Sequence, residues 1–229
     1  MIKSRLNLRN VAIACLAVTM FASCKKDPTP DPIFLLEEMQ NSGGTRYEYE
    51  YDDQDRIKKI TEYISEQLRS VSTLKYNAAS GDLEEYEWEF PQNPEWNYKT
   101  TFTKNGNKIT FVDEGQVEIE LNTQGLPEKY MYGNSPSTLT WLNGNLIKIE
   151  DAHATRTFTH DDKKSPFYYS KTPKWVLFQY IGHQNVNNLK TMTWSSGSTT
   201  TYEYTYNADG FPETRTVSGT SETYKYKKK

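Results

Sequence analysis

Acidic side chains are the first candidates for chemistry in this sequence, because clustered carboxylates bind metal ions or move protons. The run Asp52–Asp55 suggests a calcium loop, but it lacks the glycine and the distal glutamate of an EF-hand. Asp161 and Asp162 precede Pro166 in a turn-forming segment, where aspartate is common as a turn or cap residue. We therefore interpret both groups as turns, and we expect neither a metal site nor a cofactor.

Histidine and serine motifs for catalysis are not evident either. The histidines His153, His160 and His183 have no partner at the spacing that zinc sites require. The sequence holds no G-x-S-x-G nucleophile motif and no glycine-rich phosphate loop. A glycosidase needs only two neighbouring carboxylates, but no pair stands out among the 30 acidic residues. The sequence predicts a protein that is not an enzyme, and a hydrolase is the third alternative.

Aromatic residues are the one surplus, with 17 tyrosines and 5 tryptophans. Their rings either build the core of a sheet or stack on a sugar or on a partner's side chains. Tyr86–Tyr98, which contains two prolines, and Phe167–Trp175 are irregular segments, and irregular loops on a rigid sheet often hold binding sites. The candidate ligand-stacking residues are Trp96, Trp175, Trp88, Tyr168 and Tyr169. We expect Trp96 and Trp175 to be the more exposed tryptophans, since each follows a proline by two residues.

Strands must position these rings, because aromatic and polar residues alternate along much of the chain. In Tyr47–Tyr51 and Tyr202–Tyr206, tyrosines occupy every second position, so a strand places them all on one face. Such a face needs a second layer, or the curl of the sheet itself, to cover it. Turn signals follow every 10 to 13 residues or so. The pattern predicts an all-β fold, a long antiparallel meander of hairpin repeats that forms a twisted, curled sheet.

Three polar turns follow similar strands and are predicted to be equivalent. They are Asp52–Asp55, Asn122–Gly125 and Asn207–Gly210. If they are equivalent, each must join two adjacent antiparallel strands. Two segments depart from the repeat: Ile33–Gln40 is predicted to be a short helix, and Pro166–Asn188 an irregular insertion with a helical stretch at Lys174–Tyr180.

The N-terminus has the order of an export signal, with a basic stretch, an apolar run from Val11 to Phe21 and then Phe21–Cys24. The apolar run is too short to span a bilayer as a helix, which takes about 20 residues. Phe21–Cys24 resembles the lipobox of bacterial lipoproteins, and the resemblance implies that Cys24 is the lipidation site. We predict a signal peptide at 1–24, a proline-rich tether at 25–32 and a single β-repeat domain at 33–229.

Two further resemblances concern the repeats. The unit Tyr-x-Tyr followed by Asp or Asn and a turn resembles the YD repeat of RHS proteins. The segment Phe158–Phe167, followed by Asn187–Leu189, resembles a group of bacterial envelope lipoproteins of unestablished function. In that group a tyrosine stands at the place of His160, an asparagine at Ser165 and a valine at Leu189. The resemblance implies an all-β envelope protein and supplies no catalytic residue.

The net charge of the chain limits which classes of partner it can bind. The chain carries 27 basic and 30 acidic residues, and loss of the basic signal peptide makes the remainder more acidic still. An acidic domain repels a phosphate backbone, so we expect no nucleic-acid partner. The expected partners are the membrane, through the lipid, and a glycan or envelope protein. The sequence thus favours a binding or structural module at the outer membrane of a Gram-negative bacterium, facing the periplasm or the surface, with a polysaccharide-binding lipoprotein as the alternative.

Overall fold

The computed structural model describes residues 32–112, 117–182 and 185–229, which form β-strands almost throughout. The predicted signal peptide, Cys24 and the predicted tether up to residue 31 lie outside these residues. The strands are β1 (Phe34–Asn41), β2 (Thr45–Tyr51), β3 (Ile57–Ile64), β4 (Gln67–Tyr76), β5 (Leu83–Glu89), β6 (Tyr98–Asn105), β7 (Lys108–Phe111), β8 (Val117–Leu121), β9 (Pro127–Tyr132), β10 (Ser135–Leu142), β11 (Asn145–Glu150), β12 (Thr155–Lys164), β13 (Asn187–Trp194), β14 (Thr199–Tyr206), β15 (Pro212–Val217) and β16 (Thr220–Lys228). The helical pieces are a 3-10 turn (Pro94–Trp96), α1 (Lys174–Val176) and a π-helical turn (Leu177–Ile181).

Each strand pairs antiparallel with the next one in the chain, as the meander prediction requires. The predicted antiparallel meander is confirmed, but it is not an open, twisted sheet, because β1 also pairs with β16 and closes a barrel. Closure gives the outer backbone groups of both terminal strands partners, so the described sheet has no free edge strand. The predicted helix at Ile33–Gln40 is wrong for the same reason, since β1 occupies that segment and forms the closing pair.

The three predicted turns are equivalent and join β2 to β3, β8 to β9 and β14 to β15. In each, the first residue's side-chain oxygen accepts two backbone N–H groups. Asn122 Oδ1 accepts those of Gln124 and Leu126 at 2.9 and 3.1 Å, and Asn207 Oδ1 accepts those of Asp209 and Phe211 at 3.0 Å each. The turn at Asp52 follows the same pattern. These bonds explain why Asp and Asn recur there without any metal.

A segment at 165–182, here called the plug, connects β12 to β13 and fills much of the interior. Phe167, Trp175, Val176 and Leu177 are buried there in the main hydrophobic core. The helical prediction at Lys174–Tyr180 is confirmed by α1 and the π-helical turn. Among the described residues no helix is long and apolar enough to cross a membrane.

Residues of the lipoprotein-like motif hold the start of the plug against the strand that follows it. Asp161 Oδ1 accepts the backbone N–H of Asn188 at 3.1 Å, and the Tyr206 hydroxyl donates to the other carboxylate oxygen. The side chain of Asn188 donates to the Lys164 carbonyl at 3.1 Å. The Ser165 hydroxyl donates to the Asn185 carbonyl at 2.6 Å. The motif therefore has a structural explanation, as a clasp at the base of the plug.

The outer face of the barrel carries cross-strand polar pairs. Outward lysines meet glutamates of neighbouring strands in Lys59–Glu50, Lys75–Glu85, Lys99–Glu85, Lys108–Glu118 and Lys129–Glu120. Threonine hydroxyls pair in Thr159–Thr191, Thr193–Thr199 and Thr205–Thr214. A barrel that faces lipid presents an apolar band about 25 Å tall, and charges there cost about 2–4 kcal/mol each at the midplane. The outer faces of these strands carry ion pairs and hydroxyl groups in place of such an apolar band.

The meander gives the barrel two ends with different connections. Residue 33 and Lys229 lie together at one end, where the Lys229 N–H donates to the Ile33 carbonyl at 2.9 Å. We call this the proximal end; because strand direction alternates, it also holds the three equivalent turns and both connections of the plug. The opposite, distal end holds the connections at 42–44, 65–66 and 90–97.

Candidate functional site

A cavity of about 900 Å³ lies in the distal half of the barrel between β1–β6, β16 and the plug. Pockets that bind small ligands typically enclose about 300–1,000 Å³. Aromatic rings form most of its apolar lining: Tyr47, Tyr49, Tyr86, Trp88, Phe90, Trp96, Tyr98 and Tyr180. A cavity of this size, lined by rings with interspersed polar groups, is the best candidate for a binding site.

Strand β5 and the loop after it supply a series of rings. Tyr86, Trp88 and Phe90 occupy alternate positions, so they point to the same side. Trp88 and Phe90 lie 4.6 Å apart between ring centroids, and Phe90 contacts Trp96 edge-on at 5.9 Å. Trp96 ends the 3-10 turn of the β5–β6 loop and is 58% exposed. The rings therefore run from the interior to the rim at the distal end.

The plug closes the inner end of the cavity. Gln179, Tyr180 and Ile181 of the π-helical turn line it, and the Tyr180 ring stacks on that of Tyr86 with centroids 4.0 Å apart. The π-helical turn ends at Gly182, which has a φ of 73°. A left-handed φ of this kind suits glycine, because it has no Cβ.

Glu62 provides a buried carboxylate in the cavity wall. Its oxygens accept hydrogen bonds from the Tyr47 hydroxyl at 3.1 Å and from the Ser70 hydroxyl at 2.7 Å, and Arg69 lies 3.5 Å away. The register explains this group, since Glu62 on β3 pairs with Tyr47 on β2 and with Ser70 on β4. Burial, followed by the charge of Glu62, raises the pKa of Tyr47 to about 12. Tyr47 therefore stays a hydrogen-bond donor at neutral pH.

Glu222 of β16 is a second carboxylate in the cavity lining. It forms an ion pair with Arg215 of β15 and accepts a hydrogen bond from the Tyr224 hydroxyl at 2.7 Å. Burial raises the pKa of Tyr224, so this hydroxyl also remains a donor at neutral pH. Both carboxylates of the cavity are thus held by donors of the protein itself.

The structure brings together two of the five predicted stacking residues, Trp88 and Trp96, in this cavity. Trp96 is exposed, as expected. The expectation that Trp175 is exposed is wrong, because its ring is 2% exposed and packs edge-on against Phe102 and Phe111.

The other two predicted rings, Tyr168 and Tyr169, lie elsewhere on the plug and do not line the cavity. Their centroids are 5.1 Å apart, and Tyr169 contacts Phe211 at 5.8 Å. A proline two residues earlier therefore predicts exposure only at Trp96, where the loop stays at the rim. At Trp175 the same pattern begins a helical turn that the core covers.

Sequence reasoning missed the polar part of the site, Glu62, Arg69 and Ser70. One sequence signal was available, because Glu62 falls two residues after Ile60, on the inward face of β3. Burying a carboxylate on an apolar strand face costs free energy unless the carboxylate is paired, so Glu62 stands out in the sequence as an unusual residue.

A metal site would need several His, Cys, Asp or Glu side chains of the described residues to lie close together. No group of three or more His, Cys, Asp or Glu among them is arranged to hold a metal ion. His153 is exposed in the β11–β12 turn and His160 is half-buried on β12, whereas His183 lies outside the described residues.

Comparison with known proteins gives weak similarities. No family model and no curated protein matches the sequence. A porin-like protein from Bacteroides uniformis is 12% identical, with a TM-score of 0.45 over 85% of this chain and 96% of that one. A porin-like protein from Bacteroides vulgatus is also 12% identical, with a TM-score of 0.41 over 84% and 99% of the two chains. The Photorhabdus luminescens Tc holotoxin pore structure is 10% identical, with a TM-score of 0.23 over 80% of this chain and 9% of that one. At these scores the likenesses carry no argument about function, and the YD-repeat and lipoprotein resemblances stay predictions.

Proposed function

We propose that this protein is a lipid-anchored envelope protein that binds a neutral glycan in the distal cavity. The observation that carries the proposal is the meeting of Trp88, Trp96 and Tyr98 with the Glu62 group in one cavity. Ring faces stack on the apolar C–H faces of sugars, and carboxylate, guanidinium and hydroxyl groups satisfy sugar hydroxyls. Lipid anchoring rests on the sequence alone, through Cys24 and the segments that precede it.

A neutral ligand is favoured over an acidic one by the charges in the lining. Glu62 and Glu222 are carboxylates, and the side chain of Arg69 is turned toward Glu62. A uronate or sulfate entering this site meets two negative groups in a partly desolvated space, where like-charge repulsion is strong.

We propose binding without catalysis, so the protein is not an enzyme on this view. A glycosidase acid must hold a proton for the leaving group, and its partner must face water or the sugar carbon. Glu62 and Glu222 instead accept hydrogen bonds and ion pairs from Tyr47, Ser70, Tyr224 and Arg215. Release of reducing sugar from a bound glycan, lost in Glu62→Gln or Glu222→Gln, would support the hydrolase alternative.

The test is a glycan array, followed by calorimetry with the best-binding glycan. Trp96→Ala should weaken binding about tenfold, the loss expected when one stacking contact is removed. Because Trp96 is exposed, its removal should leave the melting temperature unchanged. Trp194→Ala is the matched control, since Trp194 is 37% exposed on β13 and lies outside the cavity.

Comparison of Trp96→Ala with Trp194→Ala distinguishes the possible outcomes. Loss of affinity in Trp96→Ala with unchanged affinity in Trp194→Ala supports the proposed site. Equal affinity in both variants places binding elsewhere, and an array without any bound glycan refutes the glycan proposal.

A further inference from the structure

Resting on the proposed function, we infer that the cavity binds the end of a glycan chain and not its middle. A groove that is open at both sides lets a polymer pass through, whereas a blind cavity admits only a terminus. The lining residues make this cavity a blind one, with one mouth at the distal end and the plug at its inner end.

The mouth is defined by the most distal lining residues. Asn41 ends β1, Phe90 and Trp96 belong to the β5–β6 loop, and Arg69 lies near the start of β4 beside the 65–66 turn. Trp96 is exposed, and about half of the Arg69 side chain is exposed. A ligand therefore approaches from the end of the barrel opposite residue 33.

The floor is defined by the plug. Gln179, Tyr180 and Ile181 lie across the inner end of the cavity, and beneath them Trp175, Val176 and Leu177 are buried in the core. The plug starts and ends at the proximal end, where the clasp of Asp161 and Asn188 holds it. Trp175, Val176 and Leu177 are at most 2% exposed, so the layer beneath the cavity is packed.

The walls are continuous sheet. Strands β1 to β6 are paired in sequence, and β1 pairs with β16, so the seven strands that line the cavity form a continuous arc of the closed barrel. A chain cannot leave sideways without breaking strand pairs. The ring series from Trp96 through Phe90 and Trp88 to Tyr86 runs along the axis from mouth to floor, which suits a chain that enters end-on.

The experiment compares short oligosaccharides with their parent polymers, using neutral glucan, mannan and chitin series by calorimetry and by pull-down of insoluble polymer. End-on binding predicts that the amount of protein bound per sugar unit falls in inverse proportion to the length of the glycan chain. A polymer of about a hundred units should bind about 25-fold less protein per sugar than a tetrasaccharide does, because it has one binding end per hundred sugars instead of one per four. Binding per sugar that is equal or stronger for the polymer would overturn end-on binding.

A second variant tests the floor. Gln179→Trp places a larger side chain at the inner end and should weaken tetrasaccharide binding about tenfold, with an unchanged melting temperature. Unchanged affinity in a folded Gln179→Trp variant would show that the ligand does not reach the floor, and would overturn the inference. These failures differ from failure of the proposed function, in which either no neutral glycan of any length binds or Trp96→Ala leaves the affinity unchanged.

Discussion

At the residue scale, tyrosines of the inward strand faces build the core. Tyr49 is buried and meets Phe167 of the plug edge-on, with centroids 5.2 Å apart. Tyr51 is half-buried and donates its hydroxyl to the Leu36 carbonyl at 2.9 Å. The second layer that the tyrosine face requires is therefore the plug, together with the opposite wall of the barrel.

Tyr49→Ala should lower the free energy of unfolding by about 3–5 kcal/mol, because it removes a buried ring that packs against Phe167. Urea denaturation measures the change. Tyr132→Ala is the control, since Tyr132 is 65% exposed and its removal should cost less than about 0.5 kcal/mol. A small cost at Tyr49 would mean that the plug does not pack against β2.

His160 predicts a pH dependence of stability. Burial lowers the pKa of His160 below its usual range, and the nearby Asp161 only partly opposes this. Its Nε2 is buried without a hydrogen-bond partner in the described structure. The unfolded chain therefore binds the proton more tightly, so stability should fall as the pH drops below about 6.5, the unfolded value.

Melting temperatures between pH 7.5 and 5.5 measure this effect. His160→Gln should make the fall smaller, whereas His153→Gln, at an exposed turn position, should not. The same fall in wild type and His160→Gln would assign the pH dependence to other groups.

At the scale of the element, the repeated turns are the units that the sequence marks most clearly. Gly125 has a φ of 74° and Gly210 one of 81°, while Asp55 takes the corresponding position in the first turn at 63°. One left-handed residue and one side-chain acceptor are thus common to the three turns. The strand of alternating pattern before each turn and the turn itself form one local unit.

Asn122→Ala should lower the free energy of unfolding by about 1–2 kcal/mol, because two backbone N–H groups lose their acceptor. Thr123→Ala in the same turn is the control, since Thr123 is exposed and should change stability by less than about 0.5 kcal/mol. Urea denaturation of both variants measures the difference. Equal losses would show that the side-chain acceptor does not hold the turn.

At the scale of the whole molecule, the polar outer face and the proposed lipid anchor have different roles. Ion pairs such as Lys59–Glu50 and Lys129–Glu120 give the barrel a surface suited to water. A covalent lipid at Cys24 would then be the part that holds the protein to a membrane, and two acyl chains make such anchoring stable. The cavity opens at the end of the barrel away from residue 33.

Cys24→Ser should therefore release the protein from membranes, or leave it unprocessed. Fractionation of cells, with a high-salt wash of the membrane pellet, measures the change. Serine has no sulfur for the thioether bond to the lipid, and the proposal includes no other membrane anchor. Persistence of the processed form of Cys24→Ser in the washed membranes would show that lipidation is not the anchor.

The sequence by itself determined the strands that precede the three equivalent turns, those turns and the inward tyrosine faces. These features depend on neighbours within about ten residues, through the alternation of a strand and the short-range hydrogen bonds of Asp52, Asn122 and Asn207. The helical turn after Pro173 is also local, because it forms within a few residues.

Only the tertiary structure decided the closure of the barrel, the burial of Trp175 and the composition of the cavity. Closure depends on the pairing of Phe34 with Lys228, at opposite ends of the domain, and no local pattern records it. Trp175 is buried because the plug turns inward. Glu62 meets Tyr47 and Ser70 because strand register sets which residues stand side by side, and a shift by one residue would turn the carboxylate outward.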